Sequence, residues 1–141
     1  MTQEDKQLLL KDLCARLPYG VIVRHADSLI DSDGNDTGQF WYKRGYLYDV
    51  CKLDDMTTTI IESEGSDEEG YEHICFLERT LPYLRPMSSK KTEEEKNDWN
   101  STPRNIVEHI DWYNAHHFDY RGLIEKGLAL VAPEGMYGKE E

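Results

Sequence analysis

The stretch QFWYKRGYLYDVCKL, residues 39–53, decides the fold, because aromatic and β-branched residues dominate it. It predicts β-structure rather than helix. Gly45 near its centre leaves two alternatives open, a hairpin turn or a β-bulge within a longer strand. If the chain does not turn at Gly45, four aromatic side chains share one side of the strand. These are Phe40, Tyr42, Tyr46 and Tyr48.

Segments on both sides of this stretch predict further strands. YGVIVRH, residues 19–25, is short and β-branched, and the polar ADSLIDSDGNDTG that follows, residues 26–38, predicts a loop. TTTIIESE, residues 57–64, and HICFLER, residues 73–79, are two more strand candidates around the acidic turn region GSDEEGYE, residues 65–72. Short connections predict an antiparallel meander of four or five strands.

The amino-terminal segment TQEDKQLLLKDLCARL, residues 2–17, has helical spacing. Thr2 caps this helix with Asp5 at the third position, and Pro18 with Gly20 ends it. We expect its apolar stripe to cover one face of the sheet. The stripe consists of Leu9, Leu10, Leu13, Cys14 and Leu17.

After residue 81 the sequence predicts helices in place of strands. Pro82 and Pro86 break regular structure in a connector. Thr92 then forms a capping box with Glu95 and starts a short charged helix. The next segment, STPRNIVEHIDWYNAHHF (101–118), predicts a helix capped by Ser101 or Thr102 with Pro103 in its first turn. Its apolar side carries Ile106, Val107, Ile110, Tyr113 and His117.

Asp119 can cap a last short helix, YRGLIEK, residues 120–126, before the extended, partly apolar tail LALVAPEGMY, residues 128–137. The fold class expected is therefore α+β. It has an N-terminal helix, an antiparallel four- to five-stranded β-meander, two or three short C-terminal helices and an extended tail. We expect one domain over residues 1–141, with helix and sheet in 1–81, the connector in 82–91 and the helical part in 92–141.

The net charge of the chain disfavours two classes of binding partner. The chain has 28 acidic and 16 basic residues, for a net charge of -12, which disfavours binding to nucleic acid or to an anionic membrane. Basic residues form only short pairs along the sequence, such as Lys43 with Arg44. No apolar run reaches the roughly 18 residues of a membrane span, so we expect a cytoplasmic protein. Apolar neighbours around the cysteines predict reduced core thiols at Cys14, Cys51 and Cys75.

Three segments resemble a group of small proteins encoded by gut bacteria of the Bacteroides type and by their prophages. They are LLLKDLCARLPYGV near the amino terminus, YLRPMSS followed by KTEEEK, and DWYNAHHFDYRGLIEKGLALVAPEGMY in the carboxyl-terminal part. The group generally has no assigned activity, so the resemblance implies no catalytic or binding residue. It implies a phage or mobile-element accessory protein.

The segment DWYNAHHFDYRGL, residues 111–123, holds the candidate catalytic residues. His116, His117 and Asp119 are acid, base and metal-ligand types, and His116 with Asp119 is the candidate metal pair. His109 lies two helical turns before His116, which is too far for both rings to bind one ion. The favoured interpretation is structural, with His117 in the core and His116 near a helix carboxyl end.

Three other motifs have alternative interpretations. DSDGND, residues 31–36, resembles a calcium loop but lacks the glycine and glutamate expected at positions six and twelve, so it predicts a tight turn. The aromatic strand face predicts core packing first, a protein-binding surface second and a nucleic-acid platform third. The acidic ESEGSDEEGYE, residues 62–72, predicts a solvated loop or a negative surface that imitates DNA.

Together these patterns favour a non-enzymatic binding or regulatory protein that acts through an acidic surface on a protein partner, a basic one among the candidates. The alternatives are a small metal-dependent hydrolase centred on His116, His117 and Asp119, and an aromatic-faced nucleic-acid binder. We expect no cofactor and no membrane partner, and the oligomeric state stays open. The predicted binding residues are Phe40, Tyr42, Tyr46, Tyr48, Glu68 and Glu69.

Overall fold

The structure, a computed structural model, describes residues 1–53, 56–63, 72–89 and 91–137. It confirms the α+β class, with a helix first, then strands, then two more helices. The chain divides into two compact units, Met1–Pro82 and Tyr83–Glu141. That the two units make one domain stays a prediction.

The first unit contains one α-helix and five strands within the described residues. The helix is α1, Gln3–Arg16, and a 3-10 turn, Leu17–Tyr19, follows it. The strands are β1 Ile22–Ile30, β2 Asp36–Leu53, β3 Met56–Ser63, β4 Glu72–Phe76 and β5 Thr80–Leu84, with a 3-10 turn, Leu77–Arg79, before β5. Their order across the sheet is β4-β3-β2-β1-β5, and all four neighbouring pairs are antiparallel.

Strand β2 is the longest element, at 18 residues, and it runs through Gly45 without turning. The hairpin alternative is therefore wrong. A Cβ atom at Gly45 would lie 2.6 Å from the carbonyl oxygen of Glu62 on β3, so close approach of the two strands needs glycine here. The irregularity in the pairing comes slightly later, between Leu47 and Asp49.

Two segments expected to lack regular structure are strands. The predicted loop over residues 26–38 shrinks to residues 31–35, because β1 and β2 stay paired as far as Ile30 and Asp36. Pro82 lies inside β5 instead of ending the sheet. Proline is tolerated here because the described pairing of β5 at Pro82 is with β1 alone.

The core of the first unit lies on the side of the sheet that α1 covers. Leu9 and Leu13 of α1 are fully buried, as are Val23 and Ile61 on the strands. Thr2 and Asp5 form the predicted capping box. The predicted apolar stripe is partly wrong, because Cys14 is exposed while two charged residues of the helix are buried. Of the other cysteines, Cys75 is buried and Cys51 is half-buried.

The second unit begins within β5. Its helices are α2 Glu93–Ser101 and α3 Ile106–Ala115, and its short strand is β6 Leu130–Val131. Strand β6 pairs in parallel with Tyr83 and Leu84, so the purely antiparallel meander of four or five strands is corrected to six described strands with one parallel pair. The expected tail is thus partly strand.

Capping in the second unit is confirmed for α2 and corrected for α3. Thr92 and Glu95 form the predicted capping box. Asn105 caps α3 in place of Ser101 or Thr102, because its side chain accepts the Glu108 amide hydrogen. No α-helix forms over residues 120–126, where the chain makes successive turns.

The predicted apolar side of α3 is also wrong in part. Ile106 and Val107 are exposed, and the helix instead buries Trp112 and Asn114. Because α3 begins at Ile106, Ile106 and Val107 start its first turn, six and five residues before the buried Trp112, instead of lying in the middle of a longer helix.

We predict that Asp12→Ala destabilises the first unit. Asp12 and Arg16 are fully buried on α1, and the carboxylate oxygen of Asp12 lies 2.9 Å from Arg16 Nε. The substitution removes a carboxylate that lies against the buried Arg16 charge, so the free energy of unfolding should fall by roughly 3 kcal/mol. Urea unfolding followed by circular dichroism measures this. Lys11→Ala, on the exposed side of α1, is the control, and equal losses in both variants would contradict the prediction.

Candidate functional site

The sheet face opposite α1 carries the four aromatic residues predicted to share one side of β2. All four are exposed: Phe40 at 43%, Tyr42 at 58%, Tyr46 at 43% and Tyr48 at 59%. The core-packing interpretation that the sequence favoured is therefore wrong. Core packing fails because the first unit has a single described helix, which lies against the other face.

Three arginines join the aromatic residues on this face. Arg24 on β1 lies directly opposite Arg44 on β2 in the antiparallel register. The guanidinium carbon of Arg24 lies 4.3 Å from the ring centre of Tyr42. Arg79 lies 4.7 Å from the ring centre of Phe40 in the same way. We call this set of aromatic and arginine side chains the open sheet face.

Sequence reasoning missed Arg24 and Arg79. The short basic pairs visible along the chain gave no sign of a cluster, because Arg24, Arg44 and Arg79 come from three different elements. Strand register places Arg24 opposite Arg44, and the 3-10 turn before β5 brings Arg79 to Phe40 on the same face. The available signal was the alternation in VIVRHA, which places Arg24 on the opposite side from Val23.

A cleft of about 220 Å³ lies at the β1 side of the open sheet face. Arg24 and Arg79 contribute its cations, and Phe40 with Tyr42 contributes its rings. Its lining is completed by Ala26, Glu78 and Leu81. The cleft therefore combines apolar surface with two guanidinium groups.

Glu78 is the acidic residue among those that line the cleft, and its charge is already compensated. A hydrogen bond from its own backbone amide lowers the pKa of Glu78, burial opposes this, and Lys6 lowers the pKa further. The Lys6 ammonium nitrogen lies 3.2 Å from the carboxylate. Arg24 and Arg79 thus leave the cleft positively charged.

Stacking on the aromatic rings determines which way the hydrogen-bond donors of Arg24 and Arg79 point. A guanidinium over an aromatic ring is held by the attraction between its charge and the electron-rich ring face. Its N–H groups point outward around the edge of the plane, where they can donate paired hydrogen bonds to a carboxylate or phosphate. Arginine loses less side-chain freedom on binding when it is already held in place.

The candidate catalytic residues make structural contacts instead of forming one cluster. His116 Nδ1 lies 2.8 Å from a carboxylate oxygen of Glu95, and its ring stacks on Trp112 with centres 4.0 Å apart. Asp119 accepts hydrogen bonds from the amides of Leu123 and Ile124. It therefore caps a turn, although not the helix expected from the sequence.

His117 lies outside α3, with a φ of 61°, in the left-handed region that residues other than glycine rarely adopt. Its ring stacks on Tyr137 with centres 3.8 Å apart, and the Tyr137 hydroxyl donates to the carbonyl of Tyr83. Within the described ranges, no three histidine, cysteine, aspartate or glutamate side chains are grouped so that they could hold a metal ion.

Arg85 organises this corner of the second unit, and sequence reasoning missed it. Its guanidinium donates to both carboxylate oxygens of Glu95, at 2.6 and 2.9 Å, and to the carbonyl of His116 at 3.3 Å. Its backbone amide donates to the carbonyl of His117, and its carbonyl accepts from the amide of Asp119. Arg85 therefore holds the turn that carries all three candidate residues.

The acidic motifs have different outcomes. Asp31 accepts hydrogen bonds from the amides of Asp33 and Asn35, and Gly34 has a φ of 84°, so the tight-turn interpretation of DSDGND is confirmed. Glu68 and Glu69 lie outside the described residues, and the acidic surface built on them stays a prediction.

Comparisons with known proteins add no family. No protein family, no curated protein and no solved structure matches this chain. Among the described residues, no helix combines the length and the apolar character needed to cross a membrane. Functional inference therefore depends on the contacts of the chain itself.

We predict that Glu95→Gln destabilises the second unit and makes its free energy of unfolding less dependent on pH in the acidic range. Burial by itself would raise the pKa of Glu95, but hydrogen bonds from Arg85 and the Thr92 amide lower it to about 2. A pKa below that of the unfolded chain gives stability that is present above pH 4.5 and is lost as the pH falls towards 2.

The free energy of unfolding of Glu95→Gln should be roughly 3 kcal/mol lower near pH 7 and should change less over that acidic window. Chemical unfolding at a series of pH values measures both effects. Glu93→Gln, on the exposed side of α2, is the control. An unchanged acid transition in Glu95→Gln would contradict the account.

We also predict that the double variant His116→Ala with Asp119→Ala melts at a lower temperature than the wild type. Zinc should affect the melting temperature of the double variant and of the wild type in the same way. Loss of the Asp119 cap alone should cost about 1 kcal/mol. Thermal melts with and without zinc measure this. A zinc-dependent increase in melting temperature that the double variant abolishes while remaining folded would instead support the hydrolase alternative.

Proposed function

We propose that this protein is a non-enzymatic binding protein whose partner is another protein, contacted through the open sheet face. The observation that carries this proposal is the exposure of Phe40, Tyr42, Tyr46 and Tyr48 on one side of a single strand. Large aromatic side chains that stay exposed together favour an interaction surface, because leaving them in water costs free energy.

The composition of the open sheet face supports a protein partner. Tyrosine and arginine are enriched among the residues that contribute most to protein interfaces, and both are rigid enough to bind at a low entropic cost. Here Arg24 pairs with Arg44 in the register of β1 and β2, and Tyr42 and Tyr46 lie two residues to either side of Arg44 on β2. Together these side chains combine apolar area with hydrogen-bonding capacity.

The structural contacts of His116, His117 and Asp119 weigh against the hydrolase alternative. His116 is engaged by Glu95, and Asp119 is engaged by two backbone amides. His117 stacks on Tyr137. A catalytic or metal-binding role would require these groups to leave the contacts that hold the turn together.

Two further parts of the function predicted from the sequence belong to the proposal. An acidic surface at Glu68 and Glu69 would bind a basic protein, and that binding should weaken with salt. The resemblance to proteins of Bacteroides-type bacteria and their prophages supports a mobile-element accessory role. Both are compatible with a second contact made through the open sheet face.

Affinity capture with matched variants tests the proposal. Tagged protein should retain a stoichiometric partner from a lysate of the organism that encodes it, and Tyr42→Ser with Tyr46→Ser should lose that partner, because the exposed rings supply the contact area. Tyr19→Ser is the control, since Tyr19 is exposed to a similar extent, 40%, but follows α1. Mass spectrometry identifies and quantifies the partner.

Retention of the same partner by the double variant, at the wild-type ratio and with an unchanged melting temperature, would rule out the open sheet face as the contact. A partner lost equally in Tyr19→Ser would point to a general loss of folding.

A further inference from the structure

Two arginines on the open sheet face are held in a geometry that suits anions. Arg24 lies over Tyr42 at 4.3 Å and Arg79 lies over Phe40 at 4.7 Å, and both line the same 220 Å³ cleft. Arg79 also lies 5.2 Å from the ring centre of Phe76. Each guanidinium is therefore positioned by rings of the sheet, and its donors remain directed around its edge.

The charge of the cleft adds a second observation. Its lining carries two guanidinium groups, Arg24 and Arg79, against one carboxylate, Glu78, and Lys6 also lies 3.2 Å from that carboxylate. An anionic ligand therefore meets a positive lining in a chain whose net charge is -12.

We propose that the cleft between Arg24 and Arg79 binds side-chain carboxylates from an acidic segment of the partner protein. This inference rests on the proposed function and specifies the chemistry of the partner. Each guanidinium can donate two parallel hydrogen bonds to one carboxylate. Phe40 and Tyr42 then pack against the aliphatic part of the bound acidic side chains.

A carboxylate fits this cleft better than a nucleobase does. Stacking of bases on aromatic residues needs an uncovered ring face, and here guanidinium groups lie over the rings of Phe40 and Tyr42. The net charge of -12 also repels a long polyanion more strongly than a short acidic segment. The guanidinium edges are the donors that remain.

Charge also argues against a second copy of this chain docked face to face. A two-fold dimer places the same patch on both sides of the interface. The two guanidinium groups of the cleft, Arg24 and Arg79, would then face a patch with the same positive lining and would gain no counter-charge from it. The occupant that complements this cleft is a different chain that carries acidic residues.

Binding of defined peptides tests the proposal. Fluorescein-labelled hexaglutamate should bind the wild-type protein at low salt, and hexalysine should not bind this cleft. Arg24→Gln with Arg79→Gln should weaken hexaglutamate binding about tenfold or more, because two charge-assisted contacts are lost. Fluorescence anisotropy measures the affinities, and thermal melts establish that the variants fold.

Two further variants sharpen the result. Arg121→Gln is a matched control, because Arg121 also stacks on a tyrosine, Tyr120, at 4.6 Å, but belongs to the second unit. It should bind hexaglutamate as the wild type does. Arg24→Lys with Arg79→Lys keeps the charge and loses the paired donors, so its affinity should lie between those of the wild type and the glutamine variant.

Nuclear magnetic resonance adds a readout that does not depend on affinity alone. The side-chain Nε–H signals of Arg24 and Arg79 should shift as hexaglutamate is added, while the signal of Arg121 should stay in place. The proposal would be overturned if hexaglutamate bound the wild type and the double variant Arg24→Gln with Arg79→Gln equally, and if the Arg24 and Arg79 signals of the wild type did not shift.

Other occupants are separate outcomes that also overturn it. Oligothymidylate that binds more tightly than hexaglutamate at the same salt, and is lost in the glutamine variant, would identify a nucleic-acid ligand. A wild-type protein that sediments as a dimer, with Arg24→Gln and Arg79→Gln together giving a monomer, would identify a second copy of this chain as the occupant.

Affinity capture with both double variants separates this inference from the proposed function. A captured partner that is lost with Tyr42→Ser and Tyr46→Ser but kept by Arg24→Gln with Arg79→Gln would retain the proposed function and reject the carboxylate site. A partner kept by both double variants would reject the open sheet face altogether.

Discussion

One helix can cover only one face of a sheet, and this constraint determines the surface of the first unit. Buried leucines of α1 pack against the face that carries Val23 and Ile61. Strand alternation then directs every second side chain of β2 to the opposite side, which no described helix of the unit covers. A soluble domain usually places polar residues there, whereas this chain places aromatic residues and arginines. Solubility alone does not explain that choice, whereas the proposed contact with a partner would.

Arginine and aromatic residues stabilise each other on this face while the protein is free. Stacking of Arg24 on Tyr42 and of Arg79 on Phe40 covers part of each ring and limits the motion of each guanidinium. Much of the entropic cost of ordering these side chains is therefore met before a partner arrives. The same stacking removes ring faces that a base would need. On the proposed function, pre-organisation and selectivity would come from the same contacts.

Local signals in the sequence predicted individual elements well, and long-range pairing explains the errors. Capping boxes at Thr2 and Thr92 depend on residues three positions apart, so they could be identified directly. The extension of β1 to Ile30 and the inclusion of Pro82 in β5 depend on a neighbouring strand that composition does not reveal. The aromatic positions of the candidate site followed from alternation alone. Alternation indicated the side of β1 on which Arg24 lies, but its grouping with Arg79 and the contacts of Arg85 depend on how distant segments pack.

The central claim is that the open sheet face is accessible in the free protein and becomes covered by a protein partner. Hydroxyl-radical footprinting of the free protein and of its captured complex tests it most directly. The account predicts rapid oxidation of Phe40, Tyr42 and Tyr46 in the free protein and strong protection in the complex, with Tyr19 oxidised equally in both. Slow oxidation of the three residues in the free protein, or protection confined to other residues in the complex, would contradict it.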